Sequence, residues 1–498
     1  MEFSSASFAF LKYSSVFSYL ITNQVPLTVK KELLYSPTER SFLYCLVKFP
    51  RPKPKLVHSY NHLLPLGPLL FVPSPKGCGF GDYHFKKIIY TKFSDTTSPS
   101  IFSFYFSTYT TTNFCSMYTA LMDTIKNTAA GQSYKKRKKI DSLSTIIRYL
   151  YNFSFFDAST LIAYREKSEL VSLVKLQKRP KVRLFASCDS HTEVLMRYFF
   201  FNAIQQLLTK HPRIYKNGYS AYHCGIDYMF GSLDISNFQS LDASDCDSTI
   251  SLNLMLCGLR LMLHQTTYNQ YEIYLCMQFL AWFIMQPRKY KGIIFAVKGA
   301  LPSGMYLTSM LTSFVIIYVQ TKIFNTDIKG LSSFSFNSGD DLALMKDKVS
   351  IFINNINKFG MDYSVASYQG LEFLSAYYLR VYQNKYISIP KNLDKLWGIL
   401  RFAPQQLNSS QLYELFFCLY VLYFYYFMFD VNWFENYLRF FYVITCISSE
   451  NYFKLHYTWT YRAFSIIFTD HYSMDYELYS KPGVNHTNIY AHPYLRLG

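Results

Sequence analysis

Two aspartates, Asp242 and Asp247, lie five residues apart in LDASDCDSTIS, and two more, Asp340 and Asp341, stand side by side in NSGDDLALM. The first pair falls where a strand-like stretch gives way to a helix-like one. The second follows Gly339 in a tight turn between strand-like segments. Short carboxylates at the ends of rigid strands are an economical way to hold two divalent cations, because oxygen ligands suit Mg²⁺ and Mn²⁺. Two such ions can stabilise the attacking and leaving oxygens of an in-line phosphoryl displacement. A lone Gly-Asp-Asp is also an ordinary hairpin turn, so its companions decide.

Residues 298–313 (KGALPSGMYLTSMLTS) place a Pro-Ser-Gly loop before an apolar helix that carries Thr308, Thr312 and Ser313. Around Ser303 and Gly304 such a loop offers free backbone N–H groups and close backbone approach, both suited to a nucleotide. The bland alternative is that Ser303 simply caps a buried helix. Upstream, Lys175, Lys178, Arg179, Lys181 and Arg183 interleave with apolar residues in KLQKRPKVRLF. That alternation predicts a strand or loop with cations along one side, able to grip triphosphate oxygens or merely to form a solvated basic edge. A second basic run, KKRKK at 135–139, includes Lys135, Lys136 and Arg137. It reads as a solvated surface loop, a phosphate-contacting patch or a nuclear address.

Apolar spacing predicts helices over 142–174, 191–210, 248–264 and 304–325, a strand-like stretch ending near 242, and a hairpin over 334–345. The mixture is α+β. Residues 1–140 are rich in Ser, Thr, Pro and aromatics, and prolines at 50–75 predict loops rather than long helices. At 498 residues the chain is long enough for two to four domains or subdomains. Its net charge of +18 calls for a polyanionic partner. Ten scattered cysteines without a Cys-x-x-Cys pair argue against zinc ribbons and a disulfide scaffold, and favour a reducing compartment. The N-terminus, with Glu2 and no clean apolar stretch, does not read as a signal peptide. The uncharged run 415–429 falls short of the ~20 residues that span a bilayer, and predicts a buried helix of a C-terminal subdomain.

In order and spacing, the basic segment near 180, Asp242-x4-Asp247, Ser303-Gly304-x3-Thr308 and Gly339-Asp340-Asp341 resemble motifs F, A, B and C of a viral RNA-dependent RNA polymerase. The resemblance covers roughly 175–385, and LEFLSAYYLRV (371–381) looks like motif E, which grips the primer end. It implies a right hand: fingers over 1–224 with 255–300, palm over 225–385, and a mainly helical thumb over 386–498. It implies that Asp242 and Asp340 are the principal ligands of two Mg²⁺ or Mn²⁺ ions, with Asp341 assisting. Asp247 would read the ribose 2′-hydroxyl. Ser303 and Gly304 would lie beneath the nascent pair, and Thr308 would face the nucleotide pocket. Lys181 and Arg183 would neutralise the triphosphate, while Lys175, Lys178, Arg179 and the 135–137 cations would face RNA. The implied reaction is attack of a 3′-hydroxyl on the α-phosphate with release of pyrophosphate. The implied partners are template and product RNA, NTPs, and capsid or other viral replication proteins, in the host cytoplasm or inside a virion.

Two departures qualify the match. Many positive-strand virus enzymes carry Asn nine residues after the motif B Ser, where it pairs with the second motif A Asp; here that residue is Thr312. Partitivirus-like enzymes instead resemble PSGxxxTxxxxS, which would take in Ser313, and parts of 181–205 are similar to totivirus-like enzymes. Motif D usually offers a Lys to protonate pyrophosphate, yet FGMDYSVASYQG (359–370) has none, and Lys358, Lys346 and Lys348 are the nearest. A reverse transcriptase shares the carboxylates but not the Pro-Ser-Gly helix. A non-catalytic RNA-binding relic would not be expected to keep Asp242, Asp340 and Asp341 together.

Overall fold

The computed structural model describes residues 70–401 except 76, 78, 92, 94–112, 126–127, 135–137, 152–159, 179–180, 211–229, 231–232, 368–369 and 381–385, together with positions 419, 423 and 437. In chain order come β1 (Phe71–Pro73), α1 (Asp82–Tyr90), α2 (Met117–Thr124), α3 (Leu143–Tyr151), β2 (Ile162–Glu166) and β3 (Leu170–Ser172). Next are α4 (Leu173–Lys178), β4 (Leu184–Ser187), α5 (Ser190–Lys210), β5 (Phe238–Ala243), α6 (Cys246–Thr249), α7 (Leu252–Leu263) and α8 (Gln270–Ile284). The hairpin β6 (Arg288–Tyr290) and β7 (Ile293–Phe295) precedes α9 (Thr308–Phe324) and α10 (Ile328–Leu331). Then follow β8 (Ser335–Ser338), β9 (Asp341–Met345), α11 (Lys346–Ile356), β10 (Tyr363–Val365), β11 (Glu372–Phe373), β12 (Ala376–Arg380), β13 (Tyr386–Pro390) and α12 (Lys395–Arg401).

The sheet that carries the aspartates has the order β10-β5-β9-β8 and is antiparallel throughout. Successive side chains point to opposite faces of a strand, and this sheet buries both. Leu241, Leu342 and Leu344 enter the large core beside α7, α9 and α11. Phe238, Phe336 and Ala343 enter a second, aromatic cluster with Phe373 and Tyr378 from β11 and β12. The Phe238 and Phe336 rings stack with centroids 4.3 Å apart. They belong to strands on either side of β9, which presents the small Ala343 between them.

Helix α9 is buried on every side from Met310 to Ile317, as expected of a helix that is apolar all round. It runs behind β8, where Ser335 Oγ donates to Gln320 Oε1 at 2.6 Å. A second sheet, β4-β2-β6-β7, joins strands from 162–187 to the hairpin at 288–295. The strands β11-β12-β13 form a third antiparallel sheet. Among the described residues no helix is long and apolar enough to cross a membrane.

Several expectations need correction. Of the helical span 142–174, α3 and the first two residues of α4 are helical among the described residues, whereas Ile162–Glu166 and Leu170–Ser172 are strands. Buried Ile162, Ala163 and Tyr164 are held there between β4 and β6, so sheet pairing overrides the apolar spacing. The helix expected over 248–264 breaks at Ile250, and Ser251 caps the following helix by accepting from the Leu254 N–H. Helix α9 starts at Thr308 rather than 304, because 302–307 form turns. The run 415–429 lies outside the described residues apart from Leu419 and Tyr423, both buried.

Candidate active site

The β8–β9 hairpin closes through Gly339 and Asp340, with Ser338 and Asp341 as its last pair. Gly339 has φ +65, and an added Cβ there would meet nothing within 4 Å. Glycine is required for conformation, not for space. Three neighbours hold the turn. The Gly339 N–H donates to Ser313 Oγ at 2.7 Å, Asn337 Nδ2 donates to the Gly339 carbonyl at 3.3 Å, and the Tyr363 hydroxyl donates to the Asp340 carbonyl at 3.3 Å. Asp340 is thereby fixed at an exposed tip.

The β5–β9 ladder ends at Leu241 opposite Leu342, so Asp242 and Asp341 are the next residues at the same end of the sheet. Asp242 is exposed and Asp341 half-buried. Burial, then the negative charges of Asp340, Glu372 and Asp242, push the Asp341 carboxyl up to about 7. Asp247, on α6, is pushed up to about 6 by burial and by Asp340, against the pull of Arg183 and Lys167. These carboxylates therefore lie in one another's field. Among the described residues no three acidic, His or Cys side chains are close enough to hold one ion as they lie. The all-oxygen donor set and its mutual repulsion nevertheless suit a hard divalent cation, which would relieve that repulsion.

On the cationic side, Val182, Leu184 and Ala186 are buried, Lys181 is half-buried and Arg183 exposed, in keeping with the expected alternation. Lys175 and Lys178 instead lie, exposed, on the short helix α4, which corrects the strand or loop expected there. Arg179, Lys135, Lys136 and Arg137 lie outside the described residues. Lys139, the end of the basic run, is not on a solvated surface: it is buried and pairs with Glu193 at 2.6 Å.

The Pro-Ser-Gly loop docks on β4. The Ala186 N–H donates to Ser303 Oγ at 3.3 Å, and a Cβ on Gly304 would sit 1.8 Å from the Ala186 carbonyl oxygen. Ser303 is thus no helix cap; Leu307 occupies that position. Thr308 donates to the Pro302 and Met305 carbonyls, both at 2.8 Å, and buried Thr312 donates to the Thr308 carbonyl at 2.8 Å. The Leu301 N–H donates to the Asp247 carbonyl at 2.7 Å, tying the loop to α6. Fully buried Arg288 donates to the carbonyls of Gly299 and Ala300 at 2.8 and 2.7 Å, and to the Tyr164 hydroxyl and Ile284 carbonyl.

A family model described as viral RNA-dependent RNA polymerase matches residues 84–442, well over half of the chain. The chain belongs to that family. No curated protein matches it. As a viral polymerase of this class it belongs to RNA-dependent RNA synthesis, with RNA and NTPs as ligands, in a family that generally uses divalent metal ions.

The polymerase also holds residues that no motif marks. Asp245, between Asp242 and Asp247, is in a left-handed conformation, φ +51, and takes ion pairs from both Lys181 and Lys87. The Tyr83 ring lies 5.3 Å from each ammonium. Burial raises the Asp245 pKa, but the two lysines outweigh it and hold the carboxyl at about 2. Lys391 pairs with Glu372, and Asp242 adds to the charge that keeps the lysine protonated. Lys87 precedes Asp245 by more than 150 residues, so nothing local signals the pairing. Of the lysines near 359–370, Lys358 donates to Asn355 Oδ1 at 2.7 Å and Lys348 pairs with Asp347 at 3.2 Å.

Proposed function

We propose that the polymerase copies an RNA template by adding NTPs to a 3′-hydroxyl, with Asp242, Asp340 and Asp341 holding two Mg²⁺ or Mn²⁺ ions. The observation that carries this reading is the meeting of those carboxylates, from distant parts of the chain, at one end of one sheet. The chain would be laid out as a right hand, with the aspartate sheet in the palm and the β4-bearing sheet in the fingers. When bound, the ions supply charge neutralisation at the attacking and leaving oxygens.

The protein's own part is to position. Gly339 and Ser313 fix the turn that bears Asp340, and Gly304 lets the Pro-Ser-Gly loop lie on β4, which follows Lys181 and Arg183. Lys181 and Arg183 would receive the triphosphate, Asp247 the ribose, and the loop the nascent pair. The 3′-oxygen forms a bond to the α-phosphorus as it loses its proton, and the bond to the bridging β-phosphate oxygen breaks. Pyrophosphate leaves and takes up a proton, with no protein donor assigned.

Purified polymerase with Mg²⁺ or Mn²⁺, an RNA template and labelled NTPs should yield complementary RNA, and Asp340→Asn should reduce extension by at least about 100-fold. Undiminished extension by that variant would refute the assignment of the site.

A further inference from the structure

Between α1, β4, α6 and the Pro-Ser-Gly loop lies a small cavity with room for about one water-sized group. His84, Tyr164, Asp247 and Ser303 supply its polar walls. Three of these are committed at identifiable atoms. The Tyr164 hydroxyl accepts from Arg288 at 2.8 Å, Ser303 Oγ accepts from the Ala186 N–H, and His84 Nδ1 accepts from the Leu184 N–H at 3.0 Å. With Nδ1 an acceptor, the neutral imidazole carries its proton on Nε2. Among the described residues nothing engages that Nε2–H.

The ring is neutral for a physical reason. Burial drives the His84 pKa down to about 4 despite the opposing pull of Asp245, and Lys181, Arg183 and Lys87 add to the burial effect. His84 therefore offers an uncharged donor at neutral pH to a cavity that Asp247 also lines. The residue from which such a donor would be sought, Thr312 in the Asn position of many relatives, is buried and spends its hydroxyl on the Thr308 carbonyl.

We propose that His84 is a specificity-determining residue for the sugar: its Nε2–H donates to the 2′-oxygen of the incoming ribose while Asp247 accepts the proton of the same hydroxyl. The inference rests on the polymerase reading of the site. A 2′-hydroxyl is both donor and acceptor, and a pocket built to satisfy both roles rejects a deoxyribose because its buried polar groups are left unpaired. Lys87 follows His84 by three residues, on the same face of α1. Its pairing with Asp245 anchors the helix against the motif A segment that bears Asp247.

The test compares kcat/KM for NTP with that for the matching 2′-dNTP. His84→Asn retains an acceptor for the Leu184 N–H, through Oδ1, but has no donor at the Nε2 position; His84→Gln restores one. The NTP-to-dNTP ratio is expected to fall about tenfold in His84→Asn and to recover at least partly in His84→Gln. A ratio that stays at the wild-type value in His84→Asn, whether or not both activities fall, overturns the proposal, and so does a fall that His84→Gln does not reverse. If Asp247→Ala loses the ratio while His84→Asn keeps it, the inference alone fails. If wild-type protein extends no RNA, the polymerase reading fails and takes the inference with it.

Discussion

Asp341 illustrates how the site's chemistry is set residue by residue. Its folded carboxyl titrates near 7, against 3.8 ordinarily, because it is buried beside other carboxylates. The folded state then holds the proton more tightly than the unfolded chain does. Its contribution to stability is full below about pH 4, is lost as pH rises towards 7, and is wholly absent above that. A divalent ion reverses the balance by favouring the ionised form. Thermal unfolding should therefore show Mn²⁺ raising Tm by several degrees at pH 8 and by little at pH 5, and Asp341→Asn should reduce the rise at pH 8. An equal rise at both pH values would contradict this. The motif carboxylates were legible in the sequence, because their spacing reports strand ends and a turn. Asp245 was not, because its role depends on a left-handed backbone and on a lysine from α1.

Among the elements, the Pro-Ser-Gly loop and α9 carry the most testable geometry. A methyl group on Gly304 would collide with the Ala186 carbonyl, a main-chain atom that cannot swing aside. Gly304→Ala should cost about 1–3 kcal/mol in denaturant unfolding and raise KM for NTP, as the loop lifts from β4. Unchanged stability would mean that the loop does not rest there. Ser313→Ala removes the acceptor for the Gly339 N–H. It should cost about 1 kcal/mol and lower kcat more than it raises KM for NTP, since the turn bearing Asp340 loosens. Helix α9 and the β8–β9 hairpin could be read from apolar runs and a Gly-Asp-Asp turn. The β6–β7 hairpin could not be read so readily: its turn, Lys291-Gly292, has φ of +47 and +88, yet Lys-Gly is a weaker signal than Asn-Gly or Asp-Gly. Apolar spacing at 162–172 reads as helix because the pairing of these strands with β1, β4 and β6 is a long-range contact invisible to local periodicity.

For the molecule as a whole, the α+β class followed from mixed periodicities, whereas the order of strands within each sheet did not, since it is fixed by contacts between distant segments. The charge of +18 is a property at this scale, and it makes RNA affinity a salt-dependent quantity. Binding to single-stranded RNA should weaken with a log–log slope of about −0.7 for each phosphate neutralised. If the exposed Lys175 and Lys178 face RNA, changing both to Gln should make the slope shallower by about 1 to 1.5, and an unchanged slope would remove them from the interface. The proposed convergence of chain-distant aspartates on the catalytic ions is a narrower matter than this. Anomalous diffraction at the manganese edge, on crystals of the polymerase soaked in Mn²⁺, tests it most directly. The expected result is a peak shared by the carboxylates of Asp242 and Asp340 that disappears in Asp340→Asn. Manganese bound only elsewhere, or a peak between those carboxylates that survives the substitution, would contradict it.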